Sequence, residues 1–209
     1  MSELHDLHAR IKECSACDLR KGCTQVVPGC GAFDTAGAEI DPSEARILFV
    51  GEGPGAEEDK TGRTFVGWSG ELLRRSIKAA GIPDDYYFID NTVRCRPPDN
   101  RDPKPDEIEA CWPWMVEVLK TLKLLKIIVP MGKPALRTMA FKLGFQKKIG
   151  QLPITKLAGK PFYLEDRGLY IFPLFHPAFA NRQNDRRAEF IAHLQYLGKA
   201  YAGWVRRKR

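Results

Sequence analysis

The run Arg46-Ile47-Leu48-Phe49-Val50 is too short for a helix, is rich in strand-forming side chains and stops at a glycine. A stretch of this kind, apolar at successive positions, reads as a central strand buried on both faces, as in a parallel sheet. After it, Leu72, Leu73, Ser76, Ile77 and Ala80 recur at helical spacing, and Gly81 supplies the stop, which predicts a helix over residues 70–80. A second strand is expected at 86–92. Pro105-Asp106-Glu107 then opens a helix whose apolar face is Ile108, Cys111, Trp112, Met115, Val116 and Leu119. Its acidic first turn complements the helix dipole.

Strand three is expected at 126–130, a helix at 133–143 closed by Gly144, and a further strand at 169–175 after a hairpin around Phe162-Tyr163-Leu164. From Asp185 a last helix carries Phe190, Ile191, Leu194, Leu197 and Tyr201 into the basic end Arg206-Arg207-Lys208-Arg209. Strands alternating with helices predict a three-layer α/β/α fold around a central, mainly parallel four-stranded sheet. The 209 residues are expected to form a single domain, 1–209, with a polar N-terminal arm over about 1–44. In that arm Leu4, Leu7 and Ile11 make one short helical pattern leading into Cys14.

The formal charge of +7 points to a polyanionic partner. No stretch approaches the roughly 18 consecutive apolar residues of a membrane span, and the polar start lacks the apolar core of a signal peptide. A cytoplasmic, monomeric protein with no membrane contact is expected. Disulfides are uncommon in that compartment, so the six cysteines read as metal ligands plus spares.

Cys14-Ser15-Ala16-Cys17 is a two-ligand clip, and Cys95 and Cys111 stand sixteen residues apart, one leaving a strand and one inside a helix. Four thiolates hold either a tetrahedral zinc or a cubane iron-sulfur cluster, and spacing does not choose between them. Cys23 and Cys30 have no partner at ligand spacing and read as structural, with Cys23 an alternative ligand.

Gly51-Glu52-Gly53-Pro54-Gly55-Ala56 imitates a dinucleotide-binding turn, but Glu57-Glu58-Asp59 would repel a pyrophosphate at the helix N-terminus that should attract it. It also imitates a P-loop, and there Asp59 stands where the second glycine belongs. Such a loop can instead bring backbone N–H groups and a carboxylate against a flat neutral ligand, with Phe65 as a stacking face. Sheets of this type bind ligands where their strands end, and Glu52, Asn91 and His176 all fall near predicted strand ends.

These residues together resemble the family 4 uracil-DNA glycosylases, the iron-sulfur branch of their superfamily. The resemblance runs through Cys14/Cys17, Gly51–Gly55 with Glu57-Glu58-Asp59-Lys60-Thr61-Gly62-Arg63, Phe65-Val66-Gly67, Asn91 through Cys95-Arg96-Pro97-Pro98, Asn100-Arg101, Pro105-Asp106-Glu107, Cys111 and Phe175-His176-Pro177-Ala178. It implies a [4Fe-4S] cluster on Cys14, Cys17, Cys95 and Cys111, and excision of uracil from single- or double-stranded DNA to leave an abasic site. A glycosylase of altered base choice and a non-catalytic iron-sulfur DNA-binding module are the alternatives.

The implied roles suit the residue types. Uracil must be everted, stacked, read along its edge and released as an anion. Asn91 has the donor and the acceptor that match O4 and N3–H, Phe65 stacks, and His176 donates to O2 where charge develops. Glu52, Gly53 and Pro54 line the base. Gly53 stands where better-known uracil glycosylases carry a water-positioning aspartate, so Glu52 or Glu58 is expected to steer water or the sugar cation, or Glu58 to crowd C5 against thymine. Arg63, Arg94, Arg96, Arg101, Arg182, Arg186 and Arg187 are expected to contact DNA, and 179–183 to occupy the place of the duplex wedge. Thr64 for the usual proline and Trp68-Ser69 are departures that bear on base preference. No lysine stands out as a Schiff-base nucleophile, so strand cleavage is not expected. The chain also lacks, between Arg96 and Asp106, the histidine-bearing insertion with which a related branch traps DNA.

Overall fold

Burial on both faces is what the strand ending at Gly51 requires, and all five residues of β1 (Ile47–Gly51) are buried. The computed structural model describes residues 3–205, so the basic run Arg206–Arg209 lies outside the described residues. β2 (Tyr87–Asn91) and β3 (Ile127–Pro130) flank β1, both parallel to it, and β5 (Leu169–Ile171) continues the parallel sheet beyond β3. β4 (Phe162–Leu164) closes the far edge antiparallel to β5, giving the order β2-β1-β3-β5-β4.

Five strands thus stand where four were expected, because the first arm of the hairpin at 162–164 pairs with the second and joins the sheet. The strand expected over 169–175 stops at Ile171. The Phe172 and Leu174 N–H groups still donate to the Ile128 and Pro130 carbonyls, at 2.9 Å and 3.0 Å, but Pro130 on β3 has no N–H to return to Phe172, so regular pairing is interrupted until the bridge between Met131 and Leu174.

The helices are α1 (Glu3–Lys12), α2 (Leu19–Gly22), α3 (Ala56–Thr61), α4 (Trp68–Ala79), α5 (Pro105–Thr121), α6 (Gly132–Leu143), α7 (Gln146–Ile149), α8 (Ile154–Leu157), α9 (Pro177–Asn181) and α10 (Asn184–Val205). Alternate residues of β1 serve opposite layers. Leu48 and Val50 pack with Met115 and Val118 of α5 and Leu136 and Met139 of α6. Ile47 and Phe49 pack with Leu73 and Ile77 of α4 and Phe190 and Leu194 of α10. Among the described residues no helix is long and apolar enough to cross a membrane.

The N-terminal arm is held by more than its cysteines. Leu4, Leu7 and Ile11 are buried in the same cluster as α5. Asp59, on the acidic stretch after the glycine loop, is buried and accepts hydrogen bonds from the Thr24 N–H at 2.9 Å and 3.1 Å and the Gln25 N–H at 3.4 Å. Glu57, Glu58 and Asp59 form the first turn of α3, where carboxylates suit the positive N-terminal end of the helix dipole.

Asp59→Ala would leave these two arm amides without their charged acceptor. It is expected to cost about 2 kcal/mol, read from urea unfolding, and to raise amide exchange at Thr24 and Gln25.

Candidate active site

The ends of β1 and β2 lie in register, with Gly51 opposite Asn91. The loop after β1 is bound to the turn after β2: the Thr92 hydroxyl and the Val93 N–H both donate to the Glu52 carbonyl, at 2.6 Å and 3.1 Å. A cavity of about 500 Å³ opens at this point, lined by Glu52, Gly53, Pro54, Phe65, Asn91 and His176, with Asp102 and Arg182 toward its mouth. The six residues expected to bind the base are all there.

Asn91 is buried, and its Oδ1 has no hydrogen-bond partner. Beside it, Gly51 is needed for space: a Cβ there would collide with Asn91 Oδ1 and with the ring of Phe65. Phe65 is buried with φ of 52°, a left-handed backbone uncommon outside glycine, which persists where the surroundings enforce it. Its ring centroid lies 6.0 Å from that of His176.

Arg74 holds the Phe65 backbone directly, donating from Nε to the Phe65 carbonyl at 3.1 Å and from Nη2 to the Thr64 carbonyl at 2.9 Å, and the residues that follow are fastened by Glu58. Its Oε2 accepts from the Gly55 N–H at 3.1 Å, and its Oε1 accepts from the N–H groups of Val66 and Gly67 at 3.1 Å and 3.0 Å. Both oxygens are therefore engaged by the two segments that frame the cavity. Thr64 is buried, and its hydroxyl donates to the Pro28 carbonyl at 2.6 Å.

His176 caps α9. Its Nδ1 accepts from the Ala178 N–H at 3.2 Å, which leaves Nε2 to carry the ring proton. Burial drives its pKa down from 6.5 to about 4 despite the opposing pull of the Glu58 charge, so the ring is neutral near pH 7. Glu52 moves the other way: burial first, then the negative charge and hydrogen bonding of Asp102, raise it from 4.5 to about 7. Its Oε1 is a second buried oxygen with no partner. Asp102 went unrecognised in the sequence, where one exposed aspartate beside a proline carries no signal.

The expected basic rim is only partly assembled. Arg101 and Arg182 line the cavity, but Arg101 is forked onto Glu107 at 2.8 Å and 2.5 Å. Arg96 donates to the Asn100 side chain, and Arg186 pairs with Glu189 at 2.7 Å. Arg63 does not line the cavity, and its guanidinium lies 4.8 Å from the ring centroid of Phe33. Arg94 corrects the expectation outright. It is 1% exposed, ion-paired with Asp90, and touches no solvent from which DNA could approach. The segment expected to replace the wedge forms α9, with Ala180 buried and Phe179 exposed.

On the α5 side of the sheet, Cys14, Cys17, Cys95 and Cys111 line one small cavity whose walls include Leu19, Val26 and Val93. The Trp114 indole N–H donates to Cys14 Sγ at 3.0 Å, and Arg94 Nη1 to Cys111 Sγ at 3.6 Å. Four sulfurs on one cavity, two of them with N–H donors behind them, fit the electron-rich thiolates of an iron-sulfur cluster. Among the described residues no group of three or more His, Cys, Asp or Glu is arranged to hold a single metal ion. Cys23 adjoins Cys95, and Cys30 is buried against Arg74.

An α/β sheet with a cavity at the ends of its central strands, lined by an amide, an aromatic ring and a neutral imidazole, is the frame of a nucleobase-processing protein. The sequence model described as "Uracil DNA glycosylase superfamily" matches residues 38–198, and the chain belongs to that superfamily. The type-4 uracil-DNA glycosylase of Thermotoga maritima is 40% identical over 85% of this chain and 84% of its own length. That of Sulfurisphaera tokodaii is 38% identical over 86% and 76%, and that of Archaeoglobus fulgidus 32% identical over 95% and 94%.

The fold favours the acid form of Glu52, so this contribution to stability is complete below 4.5 and disappears as pH rises through about 7. Glu52→Gln, which mimics the acid form, is expected to raise Tm at pH well above 7 and to leave it unchanged at pH below 4.5, measured by thermal unfolding across the pH range.

Proposed function

We propose that this chain removes uracil from DNA by hydrolysing its N-glycosidic bond, leaving an abasic site and an uncut strand. The observation that carries this reading is the buried, partnerless Oδ1 of Asn91 in a cavity walled by Phe65 and a neutral His176. A buried acceptor is costly until a donor reaches it. Uracil brings such a donor at N3, where cytosine has an acceptor, and the Asn91 amide NH₂ then meets O4.

Phe65 stacks the everted ring and holds its plane. His176 donates through Nε2 to O2, where negative charge gathers as the bond to the sugar breaks. Such a donor contributes about 3 kcal/mol to the transition state. Glu52, poised near 7 and paired with Asp102, steers the attacking water beneath the oxocarbenium-like sugar. Glu58 acts through the backbone, as a positioning residue that keeps Gly55 and the Phe65 segment in place. No lysine is among the residues lining the cavity, so no Schiff base with the abasic sugar is available and the strand stays whole.

Cys14, Cys17, Cys95 and Cys111 would hold a [4Fe-4S] cluster, which supplies a covalent tie between the arm, the segment after β2 and α5. Arg182, Arg101, Arg96, Arg186 and Arg63 are the cations assigned to DNA phosphates. The chain is read as one domain, monomeric and cytoplasmic.

The test is incubation of anaerobically purified protein with oligonucleotides carrying uracil, hypoxanthine or thymine, followed by alkali. Cleavage at uracil only after alkali is expected. Product from another base and none from uracil would support altered base choice, and none from any base a binding module. His176→Ala is expected to slow single-turnover excision about 10²–10³-fold, and Asn91→Ala to lower kcat/KM about 10²-fold. Glu52→Gln should abolish the rise in kcat/KM that the parent shows as pH climbs through about 7. The brown colour and iron content of the protein should fall on Cys111→Ser.

A further inference from the structure

A second groove, of about 240 Å³, runs between α4 and α10 immediately beside the cavity that we read as the uracil site. The two share a rim built from consecutive residues: Trp68 and Asn181 line the groove, whereas Ser69 and Arg182 line the cavity. Asn181 Nδ2 donates to the Trp68 carbonyl at 3.4 Å across this rim. A strand whose nucleotide enters the cavity has a short way out across it.

The groove has the composition such a strand needs. Trp68 heads α4 with 60% of its surface exposed, a large aromatic face that no core requirement explains. Leu72, Ala79 and Ile191 supply apolar walls. Glu71 is the groove's carboxylate, and Arg75 neutralises it at 2.6 Å. Arg187 also lines the groove and has no ion-pair partner among the described residues, so one cation stays in surplus.

We propose that this groove is a track for single-stranded DNA, in which the base next to the everted uridine stacks on Trp68 and the adjoining phosphate meets Arg187. An indole can stack only on a base face already parted from its neighbour, so the occupant is a single strand, open or locally melted, and not intact duplex. The proposal rests on the neighbouring cavity being the uracil site, but its binding arm can be read without excision.

The test uses the full chain. Binding of a uracil-free single-stranded oligonucleotide, followed by fluorescence anisotropy, is expected to weaken about tenfold in Trp68→Ala and to be largely kept in Trp68→Phe. In uracil excision KM should rise by the same factor with kcat unchanged. On an oligonucleotide whose uridine is flanked on both sides by abasic sugars, parent and Trp68→Ala should have the same KM. Arg187→Ala should lower the slope of log affinity against log salt by about 0.7. Equal affinity of parent and Trp68→Ala for the ordinary oligonucleotide overturns the track, as does an equal loss on abasic flanks. A parent that binds through Trp68 yet excises no uracil would overturn the glycosylase reading and leave the track standing.

Discussion

The register that sets Gly51 beside Asn91 at the ends of β1 and β2 is the constraint on which the site depends. Strand pairing fixes the two backbones, and bonds from Thr92 and Val93 to the Glu52 carbonyl then carry the fixed geometry past the last ladder rung into the loop. Glu52 and Asn91 therefore line the cavity from the ends of adjacent strands, on backbones with little freedom. His176 reaches the same cavity from the end of the sheet through the cap of α9. The backbones that carry the amide and the carboxyl are thus fixed by strand pairing and loop hydrogen bonds, and the imidazole by its helix cap.

A second tier of order comes from carboxylates that serve backbone amides. Glu58 fastens the glycine loop to the segment after Phe65, and Asp59 fastens the same helix to the arm. Asp90 accepts from the N–H of Asn91 and is paired with Arg94, whose other contact is the sulfur of Cys111. Burial pushes the Asp90 carboxyl up, against the attraction of Arg94. Charges in such places are tolerated because each is met by hydrogen bonds, and removing one partner strands the other.

Much of this could be read from residues alone, for reasons that differ by element. β1, β2 and β3 are short, apolar and bounded by turns, so period and length identify them. The residues that line the cavity were legible because they cluster around strand ends in ordered motifs. What escaped was set by tertiary contact. Glu57-Glu58-Asp59 looks like a solvated turn until Asp59 is seen accepting from an arm some 35 residues away. Arg94 looks like a phosphate ligand until its burial against Asp90 appears, and Asp102 matters only because Glu52 is next to it. The early end of β5 follows from a proline on its neighbour, Pro130, whose missing N–H the apolar pattern hides.

Gly51 lets the Asn91 carboxamide and the Phe65 ring lean directly on the main chain of β1, and Phe65 does so from a backbone conformation that costs energy to adopt. Walls made of side chains can hop between rotamers and reshape themselves for a new guest. Side chains braced against the peptide units of a paired strand have no such room, so the shape of this cavity is drawn in the polypeptide trace and should drift slowly under substitution elsewhere in the chain.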